Sequence, residues 1–440
     1  QLNLKFIDFD KDVEHREVSN KVNLYKSHNP INSIFNLNME YGIGTIKDPI
    51  LTQTSELLNL LGTENYTFNE FKNELQKIGT SINYSADKNY FRITLKGFDQ
   101  YLNESLNLLS EFMNNVKGDD KKIKILIDNA KTERKMENKN PSTVGRALRD
   151  YVNYGENSFY KRRMTVKEIK KTKSNDYIDS FKNALKYELN VLYTGQIDID
   201  VVKSSLLNHF TMIENPIAST SPVYLELNDI NEDIVYFVDD KEAVQSQIYF
   251  TVKGENINQG NRKFSSVYNK YFSGGMSSIV FQEIREFRSL AYSSWANYYT
   301  PWYDDKDGYF TGYIGCQGDK TIEAIDVFKN ITHNIPEKPE RVEQVKSSLI
   351  KGINSKRPNF RRFPGMVLNW KKQGYDKDPR IKNVDYYNAM SFEDIIQFQE
   401  KHIKSKPTAI TILADKKQID MKKLEKFGEI KILKKKDILN

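Results

Sequence analysis

The chain has 440 residues, 38% hydrophobic and 28% charged, which is enough apolar material for a sizeable core and two or three domains. Its net charge of +7 is a small excess of 66 basic over 59 acidic residues, spread along the sequence, which argues against a dedicated nucleic-acid surface. A single cysteine, Cys316, excludes a disulfide framework or a multi-cysteine metal site, and no stretch reaches the roughly 20 apolar residues of a membrane-spanning helix.

In chain order, residues 51–61 carry leucines at helical spacing and stop at Gly62-Thr63. Residues 67–78 form a second helical pattern that stops at Gly79. Segments 81–84 and 90–95 read as strands, with Phe91, Ile93 and Leu95 alternating. Asp99 is expected to cap a helix bearing Leu102, Leu106, Leu109 and Phe112 on one face. Segment 190–195 is strand-like, and the Pro/Ser/Thr-rich run 215–221 reads as a link.

A fresh strand is expected at 234–237. The earlier order then returns. Residues 264–272 form a helix ending at Gly274-Gly275, residues 276–287 form the next, and 291–299 and 309–316 read as strands. Gly318-Asp319 opens a helix with Ile322, Ile325, Phe328 and Ile331 on one side. Two copies of one pattern, about 200 residues apart, predict two homologous domains, 1–215 and 222–440. Tight strand connections followed by grouped helices predict an α+β architecture, two α/β sandwiches with mainly antiparallel sheets. No glycine-rich phosphate loop is present, so no nucleotide site is expected. Segment 298–310, aromatic and then acidic, reads either as a hairpin with an exposed tip or as an aromatic lining for peptide side chains. The basic stretches 356–362 and 434–436 read as solvated surface.

Segment 271–294, YFSGGMSSIVFQEIREFRSLAYSS, resembles a signature of the pitrilysin/insulinase family of inverzincin metallopeptidases. In the first half, Leu-Gly-Thr followed by ELQKIGTSINYSADKNYF resembles a second family motif. Asn140-Pro141 and Tyr154-Gly155 also stand where the family has similar residues, so the resemblance runs along nearly the whole chain. It implies half of a clamshell peptidase that degrades peptides in an enclosed chamber.

Active members carry H-x-x-E-H and a glutamate ~76 residues later: two histidines and the distal glutamate hold zinc, and the motif glutamate is the base. Registered on Gly62-Thr63, those positions fall on Gln53, Glu56 and Leu57, with Glu133 near the distal one. Both histidines are missing. Only five histidines occur in the chain, and no two are within one helical turn. The resemblance therefore implies no metal in this chain, with zinc supplied by a catalytic H-x-x-E-H half or subunit. It also implies that Arg285 donates to a substrate carbonyl and that Tyr292 stabilises the oxyanion at the partner's metal. Gly274 and Gly275 are expected near bound substrate, while Arg288 and Glu283 are read as structural. The likeness is to C-terminal halves of long bacterial members, which implies a periplasmic or secreted setting. The start at Gln1 suggests a processed product or a piece of a longer protein. An inactive scaffold or peptide-binding module is the alternative.

Overall fold

The computed structural model describes residues 4–286, 288–356 and 358–440. Within them, twelve strands form two six-stranded sheets. The first sheet uses β1 (Glu14–Ser19), β2 (Val22–His28), β3 (Ile34–Tyr41), β4 (Ser81–Ala86), β5 (Phe91–Phe98) and β6 (Leu189–Gly195). The second uses β7 (Ile234–Asp239), β8 (Ser246–Ile257), β9 (Ser293–Tyr299), β10 (Lys306–Cys316), β11 (Ala409–Ala414) and β12 (Glu429–Leu433). The orders are β1-β2-β6-β3-β5-β4 and β12-β7-β11-β8-β10-β9. Five consecutive positions correspond, β2 to β7 through β4 to β9. The sixth is filled by the strand before β2 in one sheet and by the last strand of the chain in the other. Parallel pairing is confined to β2·β6, β7·β11 and β7·β12, so both sheets are mainly antiparallel, as expected.

Local chemistry explains most elements. β3 and β5 bury alternate residues, the signature of a strand with one covered face. The helix Phe68–Lys77 starts with a capping box in which Thr67 and Glu70 satisfy each other's backbone N–H groups. Two expectations need correction. Asp99 does not cap the helix Leu102–Asn115. It is buried, and its carboxylate accepts from the Tyr193 hydroxyl at 3.0 Å and the Gln196 N–H at 3.2 Å instead. The helix expected over 276–287 begins later, after a turn, and continues as a π-helix over Phe281–Glu286. Its expected last residue, Phe287, lies outside the described residues, as does Arg357 of the basic stretch 356–362.

One face of each sheet carries helices of its own half. Leu51–Leu58, Leu102–Asn115 and Ser174–Ala184 pack on the first, and Arg262–Ser273, Thr321–His333 and Phe392–His402 on the second. The opposite faces are covered by exchange. The helix Pro141–Tyr154 crosses to β7, β8 and β11, where Val144, Ala147 and Leu148 meet Val238 and Leu413. In return, Phe363–Lys372 packs on β2 and β6, where Val367 and Leu368 join Ile7, Phe9 and Tyr25. Gly145 permits the first crossing, because a Cβ there would stand 3.0 Å from the Gln247 Cβ.

The edge strands β4 and β9 are closed alike. The Asn59 side chain accepts from the Tyr84 N–H at 3.1 Å and donates to its carbonyl at 2.8 Å. The Asn269 side chain does the same for Tyr298, at 2.6 and 3.0 Å. An edge backbone already paired to a side chain is a poor template for another strand.

His402 is 3% exposed, stacks on Phe398 at 4.5 Å and lies 3.0 Å from the Tyr298 hydroxyl through Nδ1. Burial, reinforced by Lys401 and opposed by Glu255, lowers its pKa from 6.5 to about 4. The unfolded chain takes up this proton near pH 6.5, whereas the native protein resists until about pH 4. Stability should therefore be full above pH 6.5 and fall by up to about 3 kcal/mol as the pH drops through that window. Burial also lowers the pKa of His333, which adds in the same direction. Urea unfolding across this window checks the expectation, and His402→Gln should flatten the dependence.

Leu148 is fully buried in the exchanged contact. Leu148→Ala is expected to cost about 2–5 kcal/mol. Hydrogen exchange should show β8 and β11 loosening more than the first sheet.

Candidate functional site

Gln53, Glu56 and Leu57 lie on the helix Leu51–Leu58, over the first sheet. Leu57 is completely buried and Gln53 is 5% exposed. The Gln53 Oε1 has no hydrogen-bond partner, a buried orphan at a position where the family motif has a ligand. Glu56 points the other way and reaches solvent. Burial of its carboxyl raises its pKa, the negative charge of Glu133 adds, and Arg134 opposes. The structure thus brings Glu56 and Glu133 together although 77 positions separate them.

Glu133 projects from the helix Asp120–Lys139 and is committed elsewhere. It pairs with Arg134 and, at 3.6 Å, with Arg163, which also binds Glu137. Both arginines are nearly buried. Their guanidinium groups supply the positive charge beside these carboxylates. Sequence reasoning passed over them, and the only signal was the Lys161-Arg162-Arg163 run.

This donor set does not fit zinc. A buried leucine has no lone pair, a glutamine amide oxygen is a weak donor for this ion, and the distal carboxylate is held by guanidinium groups. No group of three or more His, Cys, Asp or Glu side chains is placed to hold a metal among the described residues.

Arg285 and Tyr292 lie on opposite sides of a turn. Arg285 is in the π-helix Phe281–Glu286, a geometry that often marks functional positions. Its guanidinium stands over the Phe281 ring at 4.9 Å and makes no ion pair among the described residues. The Tyr292 backbone N–H donates to the Gly315 carbonyl at 3.2 Å, which anchors it to the β10 end of the sheet. Its side chain is 66% exposed, with the Gln317 amide 3.5 Å from the hydroxyl. Both residues line one open cleft of about 420 Å³, which Gln317 and Lys320 also line. Two solvent-facing donors, a guanidinium fork and a phenol, thus line the same open cleft.

The neighbouring charges are structural, as expected. Arg288 pairs with Glu283 at 2.6 Å. Gly274 and Gly275 do not line the cleft. Gly275 has φ +109°, a conformation L side chains rarely adopt, and a Cβ on Gly274 would strike the backbone of Lys270 at 2.6 Å. The turn itself requires these two residues. No helix among the described residues is long and apolar enough to cross a membrane.

Two family models match the chain. Residues 51–158 match the insulinase (peptidase family M16) model, and residues 176–349 match the peptidase M16 inactive domain. Comparison with curated proteins gave no match. The fold is similar to that of a peptidase M16 inactive domain from Pseudomonas fluorescens, with a TM-score of 0.70 at 12% identity over 91% of this chain and 97% of that one. The periplasmic protease PqqL from Escherichia coli gives 0.73 at 12% identity, over 94% of this chain and 46% of its own. The ferredoxin protease FusC, solved with Arabidopsis ferredoxin, gives 0.72 at 11%, over 93% and 46%. The chain thus spans about half the length of these last two proteases. The matched models follow one another along the chain and between them cover well over half of it. The chain therefore belongs to the insulinase (M16) peptidase family.

Proposed function

We propose that this protein is the non-catalytic half, or subunit, of a zinc metallopeptidase that cleaves peptides in an enclosed chamber. Its two homologous domains, 1–215 and 222–440, form one wall of that chamber. Arg285 binds a substrate carbonyl, and Tyr292 donates its hydroxyl proton as negative charge develops on the scissile carbonyl oxygen. An H-x-x-E-H half, joined or separate, supplies zinc and the general base. The observation that carries this reading is the convergence of an unpaired Arg285 and an exposed Tyr292 on one cleft. The misfit of Gln53, Leu57 and the arginine-held Glu133 to zinc supports a reaction completed by another half. That the chain spans 46% of two proteases of this fold supports a missing half of similar size. A periplasmic setting is proposed by analogy with the first of these.

The second reading is an inactive scaffold or peptide-binding module. It is favoured by the same misfit, taken without a partner. An H-x-x-E-H sequence upstream in the parent reading frame, or in the adjacent one, supports the peptidase reading, and its absence from both supports the scaffold.

The chain alone should hold no stoichiometric zinc and cleave no peptide, and activity should appear only with the catalytic half. Zinc and turnover from the chain alone would overturn the proposal. In the assembled enzyme, Tyr292→Phe should lower kcat by about 100-fold with little change in KM, because its bond strengthens in the transition state. Glu56→Gln should leave kcat unchanged, since this carboxylate has no metal-bound water to act on. A large loss would show that the first half retains chemistry.

A further inference from the structure

The two sheets share a strand order, so each half is a control for the other. The clamp at the edge strand sets the alignment. Asn59 holds Tyr84 on β4 as Asn269 holds Tyr298 on β9, and the cross-strand partners of these tyrosines are Ile93 and Phe310. The residues on either side of them face away from the helices of their own half. On that face, Asn83 beside Thr94 corresponds to Asn297 beside Thr311, the same pair in both halves. Two positions along, the halves part. The row Ser81–Lys96–Asn36 of the first sheet is replaced by Trp295–Tyr313–Tyr249 in the second.

The frame thus accepts polar side chains at these places, and the rings answer to something else. They form one row. Trp295 stacks on Tyr313 with centroids 5.9 Å apart, and Tyr313 meets Tyr249 at 4.9 Å. The exchanged helix Pro141–Tyr154 covers one end of the row, since it packs on β7, β8 and β11 and sets Arg149 over the Tyr249 ring at 5.1 Å. Tyr249 is buried, while Trp295 and Tyr313 stay partly exposed. An antiparallel sheet face that meets water is ordinarily polar, as the first half shows, and rings in that position make a contact surface.

Position and charge define what it contacts. Trp295 is three residues along from Tyr292, about 10 Å in an extended strand, and the Tyr292 N–H is tied to Gly315, two residues from Tyr313. The row therefore continues from the cleft of Arg285 and Tyr292. The β9 edge is closed to strand addition, because the Ser273 hydroxyl accepts from the Ala296 N–H at 2.8 Å and Asn269 occupies both backbone groups of Tyr298. What lies on the face is then read through its side chain. A cationic side chain meets Arg149 at one end of the row and Arg285 and Lys320 at the cleft, where Glu286 is the one acidic lining residue. A carboxylate meets the negative ring faces. A neutral aromatic side chain suits both.

We propose that Trp295 and Tyr313 form a subsite for an aromatic side chain of the peptide substrate, about three residues from the bond that is cleaved. The distance from that bond rests on the function proposed above, whereas recognition of the aromatic side chain does not.

Two measurements keep these apart. With the full chain alone, fluorescence anisotropy follows a labelled ten-residue Gly-Ser peptide carrying one central Phe, against the same peptide with Gly or Arg there. The Phe peptide is expected to bind about tenfold more tightly than the Gly peptide. The double variant Trp295→Ser with Tyr313→Lys, which copies the first half, should remove the difference. Far-UV circular dichroism and the thermal midpoint check its fold, and Trp295→Ser alone decides if it does not fold. Equal binding of the Phe and Gly peptides, tightest binding of the Arg peptide, or an undiminished preference in the folded variant would overturn the subsite. In the assembled enzyme, Phe is moved along a peptide with one cleavage point. The highest kcat/KM is expected with Phe three residues from that point, and indifference to its position overturns the placement. If no partner yields cleavage, the peptidase reading fails and the binding measurement still decides the subsite.

Discussion

Each sheet of this molecule has one face covered by helices of its own half, and each leaves part of the other face apolar. The second face is closed by a helix from the opposite half. β11 is buried at every position and β8 along most of its length, which a one-sided sheet in water could not tolerate. Burial of the Val144, Ala147 and Leu148 side chains against Val238 and Leu413 therefore does more than join two domains. It removes apolar surface that would otherwise be exposed in both. Residues of the β4–β5 and β9–β10 hairpins, one from each sheet, also line a common cleft.

The two halves have diverged on this shared frame. In the first, the helix Leu51–Leu58 has become a packing element, with Leu57 and Gln53 turned into the core. The carboxylates left at the surface are held by Arg134 and Arg163. In the second half the π-helix Phe281–Glu286 keeps polar groups facing outward. Arg288 pairs with Glu283, and Arg285 makes no ion pair among the described residues.

Much of this was legible beforehand. The repeated element order, the alternation in β5 and the lost histidine positions follow from local patterns of period two or 3.6 and from fixed spacings. Asp99 was misread because a capping residue and a buried acceptor look alike in sequence, and only Tyr193, 94 positions away, separates them. The π-helix at Arg285 was invisible because its pattern of apolar residues also fits an α-helix. The tip of the hairpin spanning 298–310 had two readings, and the choice rests on what stands opposite it.

What the sequence determined by itself is the inventory: a duplicated α+β chain of this family, with Gln53 and Leu57 at the positions registered on its histidine motif. These follow from residue identity and short-range order. The tertiary structure decided the neighbours. It set Glu56 beside Glu133, placed Arg163 against the distal carboxylate, opened one cleft to both Arg285 and Tyr292, and closed each sheet with the other half's helix. Most of these contacts join segments tens to hundreds of residues apart. Periodicity says that a helix has an apolar face, but only packing chooses the surface that buries it.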